Sequence, residues 1–310
     1  MKFFARVPNI NFMAQRRTGL VVSIALTLAA VTLLAVRGLN FGIDFTGGVL
    51  VEVVYPQSVE LNDVRQHLKA GGYENAVAQY VGGTRNVLIR LPPAKAASSA
   101  EVSNRVLEAL EQGGGKVELR RIEFVGPQVG EELADQGSLA MLVAFIGIFI
   151  YIAFRFEKKF SAGAIAALMH DALMALGFLS AFWIEFDVTT LAAILALIGY
   201  SNNETVVIFD RVRENMINLR RMEILEVVNL SVNQTLLRSI ITHLTTLLVC
   251  TALFVLGGPS VHSFSITLIV GVIVATYSSI YVSTSAAVAL GVSRDDLLPP
   301  KTDEHTDQMP

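Results

Sequence analysis

Five ionisable side chains lie in stretches apolar enough to be lipid-solvated: His170, Asp171, Glu204, Arg238 and His243. In hydrocarbon each costs at least about 2.5–3.5 kcal/mol on insertion scales, so such a residue is kept for a partner or a task. Glu204 closes the patch Gly199-Tyr200-Ser201-Asn202-Asn203-Glu204, which interrupts an apolar helix, and Ser201 shares its face. Thr235, Arg238, Thr242 and Thr245 follow at steps of three, four and three, a single polar stripe on the next helix. A carboxylate beside a guanidinium in a wet crevice changes its proton affinity as the helices move. Glu204 and Arg238 are therefore the candidate proton-relay pair. Two blander readings stand beside it: a static ion pair, and a helix end reaching the headgroups, since Asp210 and Arg211 follow closely.

The remaining polar groups are candidates for support. His243 is five residues from Arg238 and points elsewhere, sharing a face with Ser239; it is either an added relay group or a packing histidine. His170 and Asp171 are adjacent, so their side chains diverge by about 100° and each needs its own partner. Ser201, Asn203 and Thr242 complete the supporting set. Gly271, Ala275, Ser279 and Ser283 recur every four residues, a ridge suited to close helix packing. No phosphate-binding loop, dinucleotide fingerprint, metal cluster or nucleophile elbow occurs, so no enzyme activity, cofactor or metal site is expected. A net charge of -3 does not suggest nucleic acid. The one cysteine, Cys250, lies in an apolar run and reads as a small buried hydrophobe.

The elements that must position these residues are membrane helices. The chain has 310 residues, 53% hydrophobic and 16% charged, with a mean hydropathy of +0.54; soluble domains carry about 25% charge. Six stretches can span a bilayer core of about 30 Å: 18–36, 138–154, 161–183, 188–209, 240–256 and 264–290. The first resembles a signal peptide, but its apolar core is too long and it reads as a retained anchor. Basic residues mark every other connection, namely Lys2, Arg6, Arg16 and Arg17, then Arg155, Lys158 and Lys159, then Arg211, Arg213, Arg220 and Arg221. That pattern puts both termini in the cytoplasm. The predicted organisation is a cytoplasmic tail (1–17), a first span (18–36), an external domain with its linkers (37–137), a five-helix remainder (138–290) and an unstructured cytoplasmic tail (291–310).

Between the first two spans the pattern predicts a strand at 49–55, a helix at 60–71, strands at 75–81 and 86–91, a helix at 98–112 and a strand at 117–125. Ser98 or Ser99 would open the second helix and Gly113–Gly115 would close it. The order β-α-β-β-α-β is ferredoxin-like. With no catalytic constellation in it, the domain reads as a binding or coupling module. The stretches Asp44–Gly48 (Asp44, Gly47, Gly48) and Gly126–Gly130 (Gly126, Pro127, Gly130) are expected to join it to the membrane as defined joints.

Three motifs carry a family resemblance. Asn40-Phe41-Gly42-Ile43-Asp44-Phe45-Thr46-Gly47-Gly48 follows the first span, and Arg121-Ile122-Glu123-Phe124-Val125-Gly126-Pro127-Gln128-Val129-Gly130 precedes the second. Ile198-Gly199-Tyr200-Ser201 and Val206-Val207-Ile208-Phe209-Asp210-Arg211-Val212-Arg213-Glu214-Asn215 lie in the fourth. With the topology, over about residues 18–293, they resemble the SecF family of the bacterial Sec protein-export machinery, within the resistance-nodulation-division superfamily. The resemblance implies an inner-membrane location and an obligate partner, SecD. It also implies docking to the SecY-SecE-SecG channel with YajC as a candidate neighbour, and use of the proton-motive force to draw unfolded exported polypeptide outward. The family carboxylate of the fourth helix falls on Glu204, where the usual residue is Asp, and Asn202 replaces an apolar residue. The family arginine falls on Arg238, and its third-helix pair on His170 and Asp171. Two alternatives stand: a SecD-binding scaffold without a relay, and a proton-driven small-molecule or lipid exporter of the same superfamily.

Overall fold

The computed structural model describes residues 8–93, 99–111 and 116–297. In chain order its elements begin with α1 (Arg16–Arg37), β1 (Asn40–Phe41), α2 (Ile43–Thr46), β2 (Gly48–Val54), α3 (Leu61–Ala70), β3 (Val77–Tyr80) and β4 (Asn86–Leu91). Then come α4 (Ser99–Glu111), β5 (Glu118–Val125), α5 (Pro127–Arg155), α6 (Lys158–Phe182), β6 (Glu185–Phe186), α7 (Val188–Asn218) and α8 (Ile224–Leu256). The last membrane helix is α9 (His262–Ser278), which passes through a π-helical turn, Ser279–Ser283, into α10 (Thr284–Ala289).

Six helices among the described residues are long and apolar enough to cross a membrane. α6, α7 and α9 form the buried centre, and α1, α5 and α8 stand around it. The centre is filled by Phe160, Leu168, Leu179, Ile194, Leu197, Ile198 and Phe209, with the Phe160 and Phe209 rings edge-on at 5.1 Å. Lipid tails are as apolar as leucine, so such helices are held by close packing and interhelical hydrogen bonds. The small-residue ridge serves that end inside the bundle. A Cβ on Gly271 would meet Leu197 of α7 at 2.5 Å, and one on Gly163 of α6 would meet the Ser283 carbonyl at 2.6 Å. The ridge is thus an internal seam between α9 and its neighbours, not a face for another chain.

Several helices overrun their predicted spans. α5 has 29 residues, and at about 1.5 Å per residue it is about 44 Å long, more than a bilayer core needs. It begins at Pro127 directly after Gly126, because proline at the first helical position surrenders no needed hydrogen bond. The expected 126–130 joint is therefore the first turn of a helix. It also packs tightly: a Cβ on Gly130 would lie 2.8 Å from the Gly47 nitrogen, and one on Gly47 would lie 3.0 Å from Pro127 Cα. Of the 44–48 stretch, Asp44 to Thr46 belong to α2, which lies against α5.

The chain ends are also held where they are described. Ile10 and Asn233 of α8 exchange two hydrogen bonds, of 2.9 and 2.8 Å. Residues 291–297 were expected to be unstructured. Instead Lys159 pairs with Asp296 at 2.9 Å, and Arg294 donates to the Met216 and Leu219 carbonyls at 3.3 and 3.1 Å. The Arg294 bonds satisfy carbonyls that the end of α7 leaves open. Residues 298–310 lie outside the described residues.

The domain between α1 and α5 has the expected β-α-β-β-α-β order, with strand order β3-β4-β2-β5 and every neighbour antiparallel. Alternation along β2 sends Val49, Val51 and Val53 against Val64 and Leu68 of α3 and Val102, Val106 and Leu110 of α4. Ser98 and Gly113–Gly115, the expected ends of α4, lie outside the described residues.

Candidate proton-binding site

α7 turns Leu197, Ile198, Ser201, Glu204, Thr205 and Ile208 inward, and so brings a carboxylate into the bundle. Glu204 is 7% exposed. It accepts a hydrogen bond from the Ser239 hydroxyl, and its other oxygen lies 3.8 Å from Nε2 of His243. Ser239 and His243 are one turn apart on α8, and the Tyr200 ring, one turn before Glu204, lies 5.4 Å from the His243 ring.

Arg238 does not join them. It is exposed, forms no ion pair with Glu204, and lines an open crevice of about 380 Å³ with Val207, Asp210, Arg211, Glu214, Gln234 and Thr235. α8 carries two polar stripes. Ser231, Thr235, Ser239 and His243, at steps of four, face inward; Arg238, Thr242 and Thr245 face outward, with the Thr242 hydroxyl returned to the Arg238 carbonyl at 3.0 Å. The stripe read from the sequence mixed these two faces by joining Thr235 to Arg238, Thr242 and Thr245, whereas the reading that His243 points away from Arg238 and shares a face with Ser239 agrees with the structure. A four-residue step is the signal that separates the inward set.

Asp171 anchors a second cluster at the centre of the bundle. It is 1% exposed and accepts from Ser201 of α7 at 2.5 Å and Ser278 of α9 at 2.8 Å. Its other oxygen lies 2.9 Å from Nδ1 of His170. The expectation that His170 and Asp171 need separate partners is therefore corrected: their Cα–Cβ directions diverge, but the side chains are long enough to meet around the helix. Ser201 points to Asp171 rather than to Glu204, so one face of α7 serves both carboxylates. Ser278, the last residue of α9 before the π-helical turn, was not anticipated. Asn203 is exposed on the outside of α7.

Each carboxylate thus has one imidazole and at least one serine hydroxyl beside it. Such groups can hold or pass a proton between side chains without exposing charge to lipid.

The motif 206–215 at the other end of α7 does structural work. Arg155 pairs with Asp210 at 2.6 Å and Arg213 with Glu157 at 2.8 Å, while Asn215 donates to Ser231 and Gln234 at 2.8 and 2.7 Å. These contacts hold α7 to the α5–α6 turn and to α8, which fixes the depth of Glu204. At the domain end, Asp44 accepts from the Val188 amide at 3.0 Å, and Gly47 and Gly48 adopt φ of +67° and +129°.

Comparison with known proteins places this arrangement. Residues 105–293 match the family model for the C-terminal part of the protein export membrane proteins SecD/SecF, and residues 32–59 match the SecD/SecF GG motif. A protein translocase subunit SecF of Pseudomonas aeruginosa is 47% identical over 98% of this chain and 99% of its own length. That of Vibrio alginolyticus is 43% identical over 97% of both chains. The crystal structure of SecDF, a translocon-associated membrane protein from Thermus thermophilus, superposes with a TM-score of 0.84 at 37% identity over 93% of this chain. This chain spans 39% of that SecDF chain. SecDF in a super-membrane-facing form matches the same share with a TM-score of 0.70. The chain is a multi-pass membrane protein that belongs to the SecD/SecF family of protein-export membrane proteins, on the SecF side of that family.

Proposed function

We propose that this chain pairs with SecD and uses the proton-motive force to help draw unfolded polypeptide out of the Sec channel, with Glu204 as the residue that binds and releases the proton. The observation that carries this reading is the burial of Glu204 between α7 and α8, beside Ser239 and His243. A static structural carboxylate is better served by a fixed cation, whereas an imidazole 3.8 Å away can itself exchange a proton. One proton falling through 100 mV yields about 2.3 kcal/mol, enough to bias a two-state helix arrangement and too little to drive it alone. The chain does this work without enzymatic chemistry of its own.

The outward stripe of α8 supports the pairing. Arg238, Thr242 and Thr245, with Asn203 of α7, are exposed at membrane depth, where lipid is a poor neighbour for them. A partner half-bundle bearing polar or acidic groups would cover them, and the longer SecDF chain that this one matches is consistent with such a half. Arg238 then acts across that interface. The alternation of basic loops orients both termini to the cytoplasm and the sheet domain outside, where it meets the emerging polypeptide beside the SecY-SecE-SecG channel.

The deciding experiment is Glu204→Gln in the assembled complex with SecD. It keeps size and hydrogen bonding and removes titration. Assembly should persist and proton-dependent export should stop; undiminished proton-driven export would promote the scaffold reading instead.

A further inference from the structure

The sheet domain and α7 are joined at the domain end of the bundle by contacts that the expected hinge role of this region does not explain. β1 and β6 pair in parallel, Asn40 with Glu185 and Phe41 with Phe186, and Gly42 donates to the Phe186 carbonyl at 2.9 Å. Arg90, on β4 in the sheet domain itself, reaches this bridge. Its guanidinium is 2.8 Å from Glu185 and donates to the Asn40 side chain at 3.0 Å and the Phe41 carbonyl at 2.8 Å. The Arg90 and Glu185 side chains are only 16% and 15% exposed. Phe41, Phe45 and Phe186 close the apolar side, with ring centroids 5.7–6.0 Å apart.

The bridge runs directly into α7. Asp187 is its N-cap and accepts from the Thr190 amide at 2.6 Å. A second carboxylate, Asp44, comes from the segment that leads into the sheet domain and takes the Val188 amide. The first turn of α7 is therefore capped partly by its own chain and partly by the sheet domain's root. Glu204 lies about 24 Å further along the same helix at helical rise, and a hydrogen-bonded helix moves as a rod over that distance.

We propose that Arg90, Glu185 and Asp44 form an ionisable latch through which the position of the sheet domain sets the position of α7 and the surroundings of Glu204. The charged groups facing Glu185 are Arg90, Asp187 and Asp44. Burial raises the Glu185 pKa above its usual 4.5, Arg90 opposes the rise, and the like charges of Asp187 and Asp44 add to it. Acidification on this side neutralises Glu185, exchanging the Arg90 ion pair for a neutral hydrogen bond and removing the larger cost of burying a charge beside Asp187 and Asp44. A raised folded-state pKa contributes stability that is present below the unfolded value and lost as pH rises through the folded one. Protonation therefore favours the closed joint in which Glu185 is buried, and deprotonation as pH rises works against that burial. The effect on Glu204 rests on the proton-binding reading given above; the latch itself does not.

The test uses the full chain in complex with SecD, comparing Arg90→Glu, Glu185→Arg, the double reversal and Asp44→Asn. Two readouts are taken: amide hydrogen exchange over residues 185–191, and the rate at which dicyclohexylcarbodiimide labels Glu204, resolved by mass spectrometry. Each single reversal should speed exchange about tenfold and change Glu204 labelling by about threefold or more, and the double reversal should restore both. Asp44→Asn should speed exchange at Val188 by a smaller factor. Singles that leave Glu204 labelling at the parent rate, or a double reversal that restores neither readout, overturn the latch. Export is not a readout here. A Glu204→Gln complex that still exports would overturn the proton role and leave the latch standing, and unchanged labelling would do the reverse.

Discussion

Glu204 and His243 face each other across the α7–α8 contact, with Nε2 of the imidazole 3.8 Å from the carboxylate. The distance is too long for a hydrogen bond and short enough that the charge of either group is felt by the other. The imidazole, not the Arg238 guanidinium, is the near neighbour of the Glu204 carboxylate.

His243→Phe and His243→Gln separate the two roles of that ring. Both fill most of the space, and neither titrates near neutrality. Proton-driven export should lose the limb of its pH profile that follows imidazole ionisation, while the complex still assembles. A profile of unchanged shape in both variants would make His243 a packing residue.

Ser201 and Ser278 both donate to one oxygen of Asp171. Replacing either by alanine leaves a buried carboxylate short of a donor, at a cost of about 1–3 kcal/mol. Thermal unfolding of the complex should show it. A double-mutant cycle pairing Ser278→Ala with Asp171→Asn should depart from additivity by about 0.5–3 kcal/mol; strict additivity would mean that the contact carries no energy.

Arg238→Ala removes an exposed side chain that forms no ion pair among the described residues. The isolated chain should keep its stability within about 0.5 kcal/mol, whereas recovery with SecD, or export by the complex, should fall sharply. A variant that assembles and exports normally would remove Arg238 from the interface.

Gly48→Ala should unfold the sheet domain preferentially. The residue sits at φ +129°, and a Cβ there would strike the Leu91 carbonyl of the neighbouring strand. A loss of about 3 kcal/mol is expected, against near-neutrality for Gly147→Ala in α5, where an added Cβ meets nothing within 4 Å. Protease resistance of the domain in the two variants distinguishes them.

Asp296 is held below its usual 3.8: burial works against its charge, and Lys159 and Ser293 more than compensate. Its contribution to stability is present above the unfolded value and disappears as pH falls through the folded one. Segment 291–297 should therefore stay docked at neutral pH and become protease-sensitive in strong acid. Asp296→Asn should release it at neutral pH, and continued protection of that variant would assign the docking to Arg294 alone.

The membrane helices and the sheet domain were legible in the sequence because hydropathy and two-residue alternation report burial directly. The order of elements between 48 and 125 followed from alternation and glycine turns alone. The site was legible in its residues and not in its pairings. Arg238 and Ser239 are neighbours, and periodicity says that they face different ways without saying which one faces in. The Glu204–Arg238 pairing was inferred from depth, and the structure sets Ser239 and His243 at that depth instead. The joints were read from glycine and proline alone, and residue type does not announce that Gly47 and Gly130 also let two backbones touch. Nothing local to Arg90, Glu185 or Asp44 announces that residues about a hundred positions apart converge.

α1 packs chiefly on α6. Gly177 of α6 leaves room for Ala30, and Ser180 donates to the Gly38 carbonyl at 2.7 Å. In order of synthesis, the whole sheet domain and α5 are made between these two helices. The first helix therefore enters the bilayer long before its principal neighbour exists. Its lipid-facing residues, with Val21 and Leu28 more than 60% exposed even in the finished bundle, suit it to that interval. Assembly of the bundle must then proceed by late lateral capture of α1 by α6, rather than by adding helices in the order in which they emerge.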